Sequence, residues 1–318
     1  MKEQQIAFIF PGQGAQYIGM GKDFFEQFSI AKETFEEASD LLKRSLMELM
    51  FDGSSEELTE TKNSQVAIYV ASIAMMRVLQ EYFPIAPKIC AGLSLGEYTA
   101  LTGANILPFQ TGLQLVSMRA DLMQKASIEF PGSMSAVIGL MESDVQQSIV
   151  DNKLQNEVWI ANINDPKQIV ISGTQDGVRR LSEFLKREMG KRVMPLNTSG
   201  AFHSELMRSA ASGLKEALLN TEFMESTIPV AMNYTGKVTS SLRMIQTNLY
   251  NQLTGTVRWY DCMQSMEEFG IDQYIEIGPG KILANINRRL GIKKPTFSIE
   301  NVSDFNNCLL YTSDAADE

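Results

Sequence analysis

Gly92-Leu93-Ser94-Leu95-Gly96 follows a short apolar run and precedes a helical pattern, the context in which a G-x-S-x-G turn pushes a serine hydroxyl outward as a nucleophile. The helix that begins there aims backbone N–H groups and a positive dipole end at negative charge developing beside the serine. Taken alone, the same five residues also read as a serine N-cap after a glycine turn. A serine hydroxyl is a weak nucleophile at neutral pH and needs a base within hydrogen-bond reach. If that base is a histidine it is His203, because the chain has one histidine, in Ser199-Gly200-Ala201-Phe202-His203-Ser204. By itself a lone histidine is more often a packing or surface residue than a catalyst. Gly12-Gln13-Gly14 reads as a turn after a strand, and no lysine follows at the spacing of a phosphate-binding loop. Arg119, on a helical pattern, reads alone as a solvated helix arginine.

The elements that must carry these residues follow from hydrophobic spacing. Ile6–Phe10 is short, apolar and closed by Pro11-Gly12, the pattern of a strand buried on both faces. Residues 65–83 are apolar on most faces, which predicts a helix inside the domain, ended by Pro84 and Pro87. A second strand is expected at 89–91, and helices at 95–104 and 109–126. From Met134 the pattern becomes strand 134–140, helix 142–153, strands 158–163 and 168–172 about an Asn-Asp-Pro turn, helix 177–189 and strand 192–196. That β-α-β-β-α-β order is the signature of a ferredoxin-like unit. The expected fold class is α/β: a large α/β domain, 1–126 with 198–307, into which a small ferredoxin-like βαββαβ domain, 127–197, is inserted. Further strands of the large sheet are expected at 230–233 and 273–277.

The 318 residues are 44% hydrophobic, enough for a large core, and the formal charge of −10 argues against nucleic acid or an anionic membrane as partner. No long apolar stretch or leader-like N-terminus stands out, so a cytoplasmic protein is expected. Cys90, Cys262 and Cys308 have neither metal-ligand spacing nor a disulfide framework. Residues 308–318, Cys-Leu-Leu-Tyr-Thr-Ser-Asp-Ala-Ala-Asp-Glu, look like the in-frame translation of a transposase-based sequencing adaptor, the alternative being a frayed natural tail, and are set aside as a suspected non-native segment. Without Asp314, Asp317 and Glu318 the charge of −10 becomes −7.

Four segments in register resemble one family. Phe10-Pro11-Gly12-Gln13-Gly14-Ala15-Gln16, Gly92-Leu93-Ser94-Leu95-Gly96-Glu97-Tyr98, Ser199-Gly200-Ala201-Phe202-His203 and Ile275-Glu276-Ile277-Gly278-Pro279-Gly280 look like the malonyl-CoA:acyl-carrier-protein transacylases of type II fatty acid synthesis. The resemblance runs from about Ile6 to Phe297, and it implies that the large α/β domain is hydrolase-like. It implies a malonyl ester on Ser94, His203 as base, and the backbone N–H groups of Gln13 and Leu95 as the oxyanion hole. It implies further that Arg119 grips the malonyl carboxylate, that Gln252 orients His203, its backbone carbonyl being the favoured acceptor, and that Phe202 and Asn162 border the substrate. Asn162 reads equally well as a turn asparagine. The substrates implied are malonyl-CoA and a holo-acyl carrier protein, with no metal and no other cofactor. Leu93 stands where many relatives carry histidine, which leaves the proposed base untouched.

Rival readings share part of the pattern. A serine esterase or thioesterase has the same turn, but its triad runs serine, acid, histidine along the chain, whereas Gln252 follows His203. A discrete acyltransferase of a polyketide pathway would look much the same, whereas Ser94, His203 and Arg119 together speak against a silent carrier-binding scaffold. Because the chain is itself acidic, an acidic carrier would need a local basic patch. Arg179, Arg180, Lys186, Arg187, Lys191 and Arg192, with Arg288 and Arg289, are the candidates.

Overall fold

The computed structural model describes residues 4–83 and 85–308. The adaptor reading of the last eleven residues thus falls, Cys308 apart, outside the described residues, as does Pro84. In chain order the first elements are β1 (Ile6–Phe10), α1 (Lys22–Gln27), α2 (Ser29–Leu42), α3 (Ser55–Thr59), α4 (Thr61–Tyr82), β2 (Ile89–Gly92), α5 (Gly96–Gly103) and α6 (Phe109–Glu129). There follow β3 (Gly132–Ile138), α7 (Glu142–Asp151), β4 (Val158–Asp165), β5 (Gln168–Thr174), α8 (Gln175–Arg187), β6 (Arg192–Pro195) and α9 (Arg208–Asn220). The chain ends through β7 (Val230–Met232), β8 (Lys237–Thr239), α10 (Leu242–Gln252), α11 (Trp259–Glu268), β9 (Gln273–Ile277), α12 (Ile282–Leu290) and β10 (Thr296–Ile299).

Two compact units emerge: Met1–Ser117 with Glu222–Ala231 and Met266–Glu318, and Met118–Thr221 with Met232–Ser265. The first is built on a parallel sheet in which β10, β9, β1, β2 and β7 are neighbours in that order. Every residue of β1, β2 and β9 is buried, which is why these strands read as continuous apolar runs rather than alternating ones. α4 is buried on nearly every face from Asn63 to Met76, as its lack of a polar stripe requires. Glu276, the one carboxylate within β9, is fully buried and accepts from Leu283 N (2.8 Å), Ala284 N (2.9 Å) and Ser298 Oγ (2.9 Å). It thereby satisfies two of the orphan N–H groups at the start of α12.

The second unit contains an antiparallel sheet in the order β4, β5, β3, β6, with α7 and α8 as the connecting helices. The β-α-β-β-α-β order is therefore the one expected from the spacing. α8 shows how the sequence dictates it: Val178, Leu181 and Leu185 form its buried stripe, and Thr174 caps it by accepting from Gly177 N at 3.0 Å. That stripe packs in a core with Val137, Ile149, Ile160 and Ile171. β4 is an edge strand, and its register against β5 slips by one residue between Ile160 and Asn162, a β-bulge.

Candidate active site

In the first unit the loop after β1 is clamped to the turn after β2. Leu93 N donates to Phe10 O at 3.0 Å and Gly96 N to Leu93 O at 2.9 Å. A Cβ on Gly92 would lie 1.9 Å from the carbonyl carbon of Gly96, and one on Gly12 would lie 2.3 Å from Leu93 O, so both positions require glycine for close backbone approach. The result is a tight elbow with Ser94 at its apex, held at φ 53° in the left-handed region. Leu95, buried, is the N-cap position of α5. The Gln13 side chain is tied to α4, donating to Thr61 Oγ1 (3.4 Å) and accepting from Gln65 Nε2 (3.3 Å).

In the second unit three of the expected residues converge. Arg119, on α6, is fully buried, and its Nη2 donates to Gln252 Oε1 at 2.9 Å. The backbone carbonyl of the same Gln252 lies 2.8 Å from His203 Nδ1. The carbonyl can serve because Gln252 is the last residue of α10, where carbonyls lack intrahelical donors. Because the carbonyl can only accept, Nδ1 carries the proton and donates it, which leaves Nε2 with its lone pair. Burial first, and then the positive charge of Arg119, lowers the His203 pKa from 6.5 to about 4, with the Gln252 carbonyl acting in the opposite sense. His203 sits at φ 57°, in a loop stiffened by Ser204 Oγ donating to Ala201 O at 2.6 Å, and Phe202 beside it is buried.

Asn162 is a strand residue at the β4 bulge, bridged to Val257, and does not belong to the following turn, where Lys167 N donates to Asp165 Oδ1 at 2.7 Å. Of the basic-patch candidates, Arg179 is engaged by Asp176 and Glu183, and Arg180 by Glu157 and Asp176. Lys186 and Arg187 close α8, and Arg288 and Arg289 close α12. Two contacts escaped the sequence: the Gln252 amide on Arg119, and Arg258, whose guanidinium forks onto Glu142 and also reaches Asp261. The only signal for the latter is an aspartate three residues after the arginine. Among the described residues no group of three or more His, Cys, Asp or Glu side chains could hold a metal ion, and no helix is long and apolar enough to cross a membrane.

The family described as "Acyl transferase domain" matches residues 7–306. A malonyl CoA-acyl carrier protein transacylase of Bacillus subtilis strain 168 is 40% identical over 299 residues, 93% of this chain and 94% of the relative. A solved malonyl CoA-acyl carrier protein transacylase from Clostridium perfringens superposes with a TM-score of 0.93 at 32% identity, covering 98% of each chain. A malonyl-transacylase solved in complex with its type II PKS acyl-carrier protein gives a TM-score of 0.90 at 36% identity, over 95% of this chain and 97% of that one. With a family match over residues 7–306 and relatives up to 40% identical over more than nine-tenths of both chains, the chain belongs to the acyl transferase family and, within it, to the malonyl CoA-acyl carrier protein transacylases.

Proposed function

We propose that the chain moves a malonyl group from malonyl-CoA to the phosphopantetheine thiol of an acyl carrier protein through a malonyl ester on Ser94, feeding fatty acid synthesis. His203 Nε2 takes the Ser94 proton as Oγ attacks the thioester carbonyl. The backbone N–H groups of Gln13 and Leu95 hold the oxyanion, and collapse expels the coenzyme A sulfur, which receives the proton from His203. The carrier thiol then gives a proton to His203 and attacks the ester, and Ser94 Oγ leaves with that proton. Arg119 pairs the free malonyl carboxylate, with Phe202 and Asn162 beside the acyl group.

The observation that carries this reading is the buried group of Arg119, Gln252 and His203. A carbonyl orients the base without a second ionised group, and a guanidinium stands 2.9 Å from the orienting residue's own amide, suited to a substrate bearing both a thioester and a carboxylate. The chemistry requires acid–base groups and backbone donors alone, so no cofactor beyond the two substrates is assigned. The cytoplasm, where free thiols such as buried Cys90 and Cys262 persist, is its place. Carrier docking is assigned to Lys186, Arg187, Lys191 and Arg192 of the second unit rather than to Arg179 and Arg180, which are ion-paired with neighbouring acids. Intact mass after incubation with malonyl-CoA should show one malonyl adduct that is lost in Ser94→Ala; an adduct that persists in that variant overturns the assignment.

A further inference from the structure

The acceptor that sets the proton position on His203 is a main-chain atom at a helix end, so whatever fixes that stretch of backbone fixes the base. Directly after Gln252 the chain leaves α10 and runs along the open edge of β4. Thr256 Oγ1 donates to Ile160 O (2.7 Å), Val257 N to Ala161 O (2.8 Å), and Ile163 N to Val257 O (2.9 Å). These bonds fall at the bulge: Ile160 pairs with Ile171 and Asn162 with Val170, leaving Ala161 outside the β4–β5 register. The bulge and the strap are thus two sides of one fitting, which also covers an edge that would otherwise be open.

The strap is also held by its buried side chains Leu253 and Val257, and its far end is pinned by Arg258. Its backbone N donates to Asn233 O at 2.9 Å. Nη1 and Nη2 fork onto Glu142 Oε1 and Oε2, both at 3.2 Å, and Nε donates to Asp261 Oδ2. One side chain therefore joins the first residue of α7, the strap and the first turn of α11. The fork is planar and bidentate, a geometry that fixes direction as well as distance. We infer that Arg258 is a positioning residue for catalysis: through the strap 253–257 it holds the Gln252 carbonyl against His203 Nδ1, and so keeps the proton on Nδ1 and Nε2 unprotonated, ready to take the serine proton. The inference rests on the acyl transfer proposed above.

The single histidine makes this testable by spectroscopy, because the imidazole nitrogen signals of protein carrying 15N-histidine belong to His203 alone. The wild-type spectrum should show the Nδ1–H tautomer. Arg258→Gln should show a mixture of tautomers and lower the rate of Ser94 acylation by malonyl-CoA on the order of ten- to a hundredfold, with KM changed less than about twofold, as expected for a misplaced catalytic group. Arg258→Lys, which can keep one ion pair, should recover part of both. Should Arg258→Gln fail to fold, Glu142→Gln, at a half-exposed site, tests the same fork with the same two readouts. A wild-type tautomer in the folded variant, or an unchanged acylation rate, overturns the inference. If the wild-type protein itself does not acylate, the proposed reaction falls while the tautomer comparison still decides the role of Arg258.

Discussion

Acidifying the medium from pH 7 to pH 5 should leave the acylation of Ser94 by malonyl-CoA almost unchanged. An ordinary histidine would be a poor base at pH 5, since with a pKa of about 6.5 only about 3% of it is neutral there. His203 is not ordinary: burial and, second, the Arg119 charge lower its pKa to about 4, so roughly nine-tenths of it keeps a free lone pair at pH 5. The difference between the two cases is on the order of thirtyfold in the fraction of competent base. The quantity to measure is kcat/KM for malonyl-CoA, which reports the free enzyme, at constant ionic strength. The same shift acts on stability with a fixed sign. Because the folded pKa lies below the unfolded one, the unfolded chain takes up the proton first. The contribution is complete above about pH 6.5 and is lost as pH falls toward 4, by about 2 kcal/mol at pH 5 and about 3 kcal/mol at pH 4. His203→Gln should flatten this slope in urea melts between pH 6.5 and 5. A kcat/KM that falls along a one-proton curve centred near pH 6.5, or a stability slope that survives in His203→Gln, would refute the reasoning.

Arg119→Ala should lower malonyl transfer by about 1.5–3 kcal/mol of transition-state stabilisation while acetyl transfer falls less, narrowing the malonyl-to-acetyl ratio measured by competition. Equal losses on both substrates would make the arginine structural. Phe202→Ser should relieve crowding of a branched acyl group worth about 1–3 kcal/mol, raising methylmalonyl transfer relative to malonyl in the same assay. A methylmalonyl-to-malonyl ratio that stays put would remove Phe202 from the acyl pocket.

Legibility in the sequence follows the range of the interaction. β1, β2 and β9 were readable because burial on both faces leaves an uninterrupted apolar run, and the elbow because its glycines are forced by close backbone approach. α8 was readable to within two residues at either end, its stripe being local. β10 escaped: Thr296–Ile299 is only half-buried along three of its four residues, so it lacks the apolar run of its neighbours. The bulge in β4 escaped because one extra residue leaves no mark on composition. Among the site residues, Ser94 and His203 announce themselves by local turns, whereas the bond between Arg119 and Gln252 spans 133 positions and exists only once α6 and α10 are folded. The Gln252 carbonyl carries no side-chain signature whatever, and family resemblance alone pointed to it. Asn162, read as either a turn or a substrate residue, lies in neither the turn nor a regular ladder.

Ser94 occupies backbone space that suits glycine better than any residue with a Cβ, at a cost of roughly 1–2 kcal/mol. Ser94→Gly, which would remove the proposed nucleophile, therefore also relieves that backbone strain, against the larger conformational entropy that glycine loses on folding. A copy carrying that change would lose the proposed acyl transfer while the turn that bears it kept its geometry. Abundance or solubility is then a poor proxy for function among chains of this fold, and the residue at the elbow is the first thing to read in any of them.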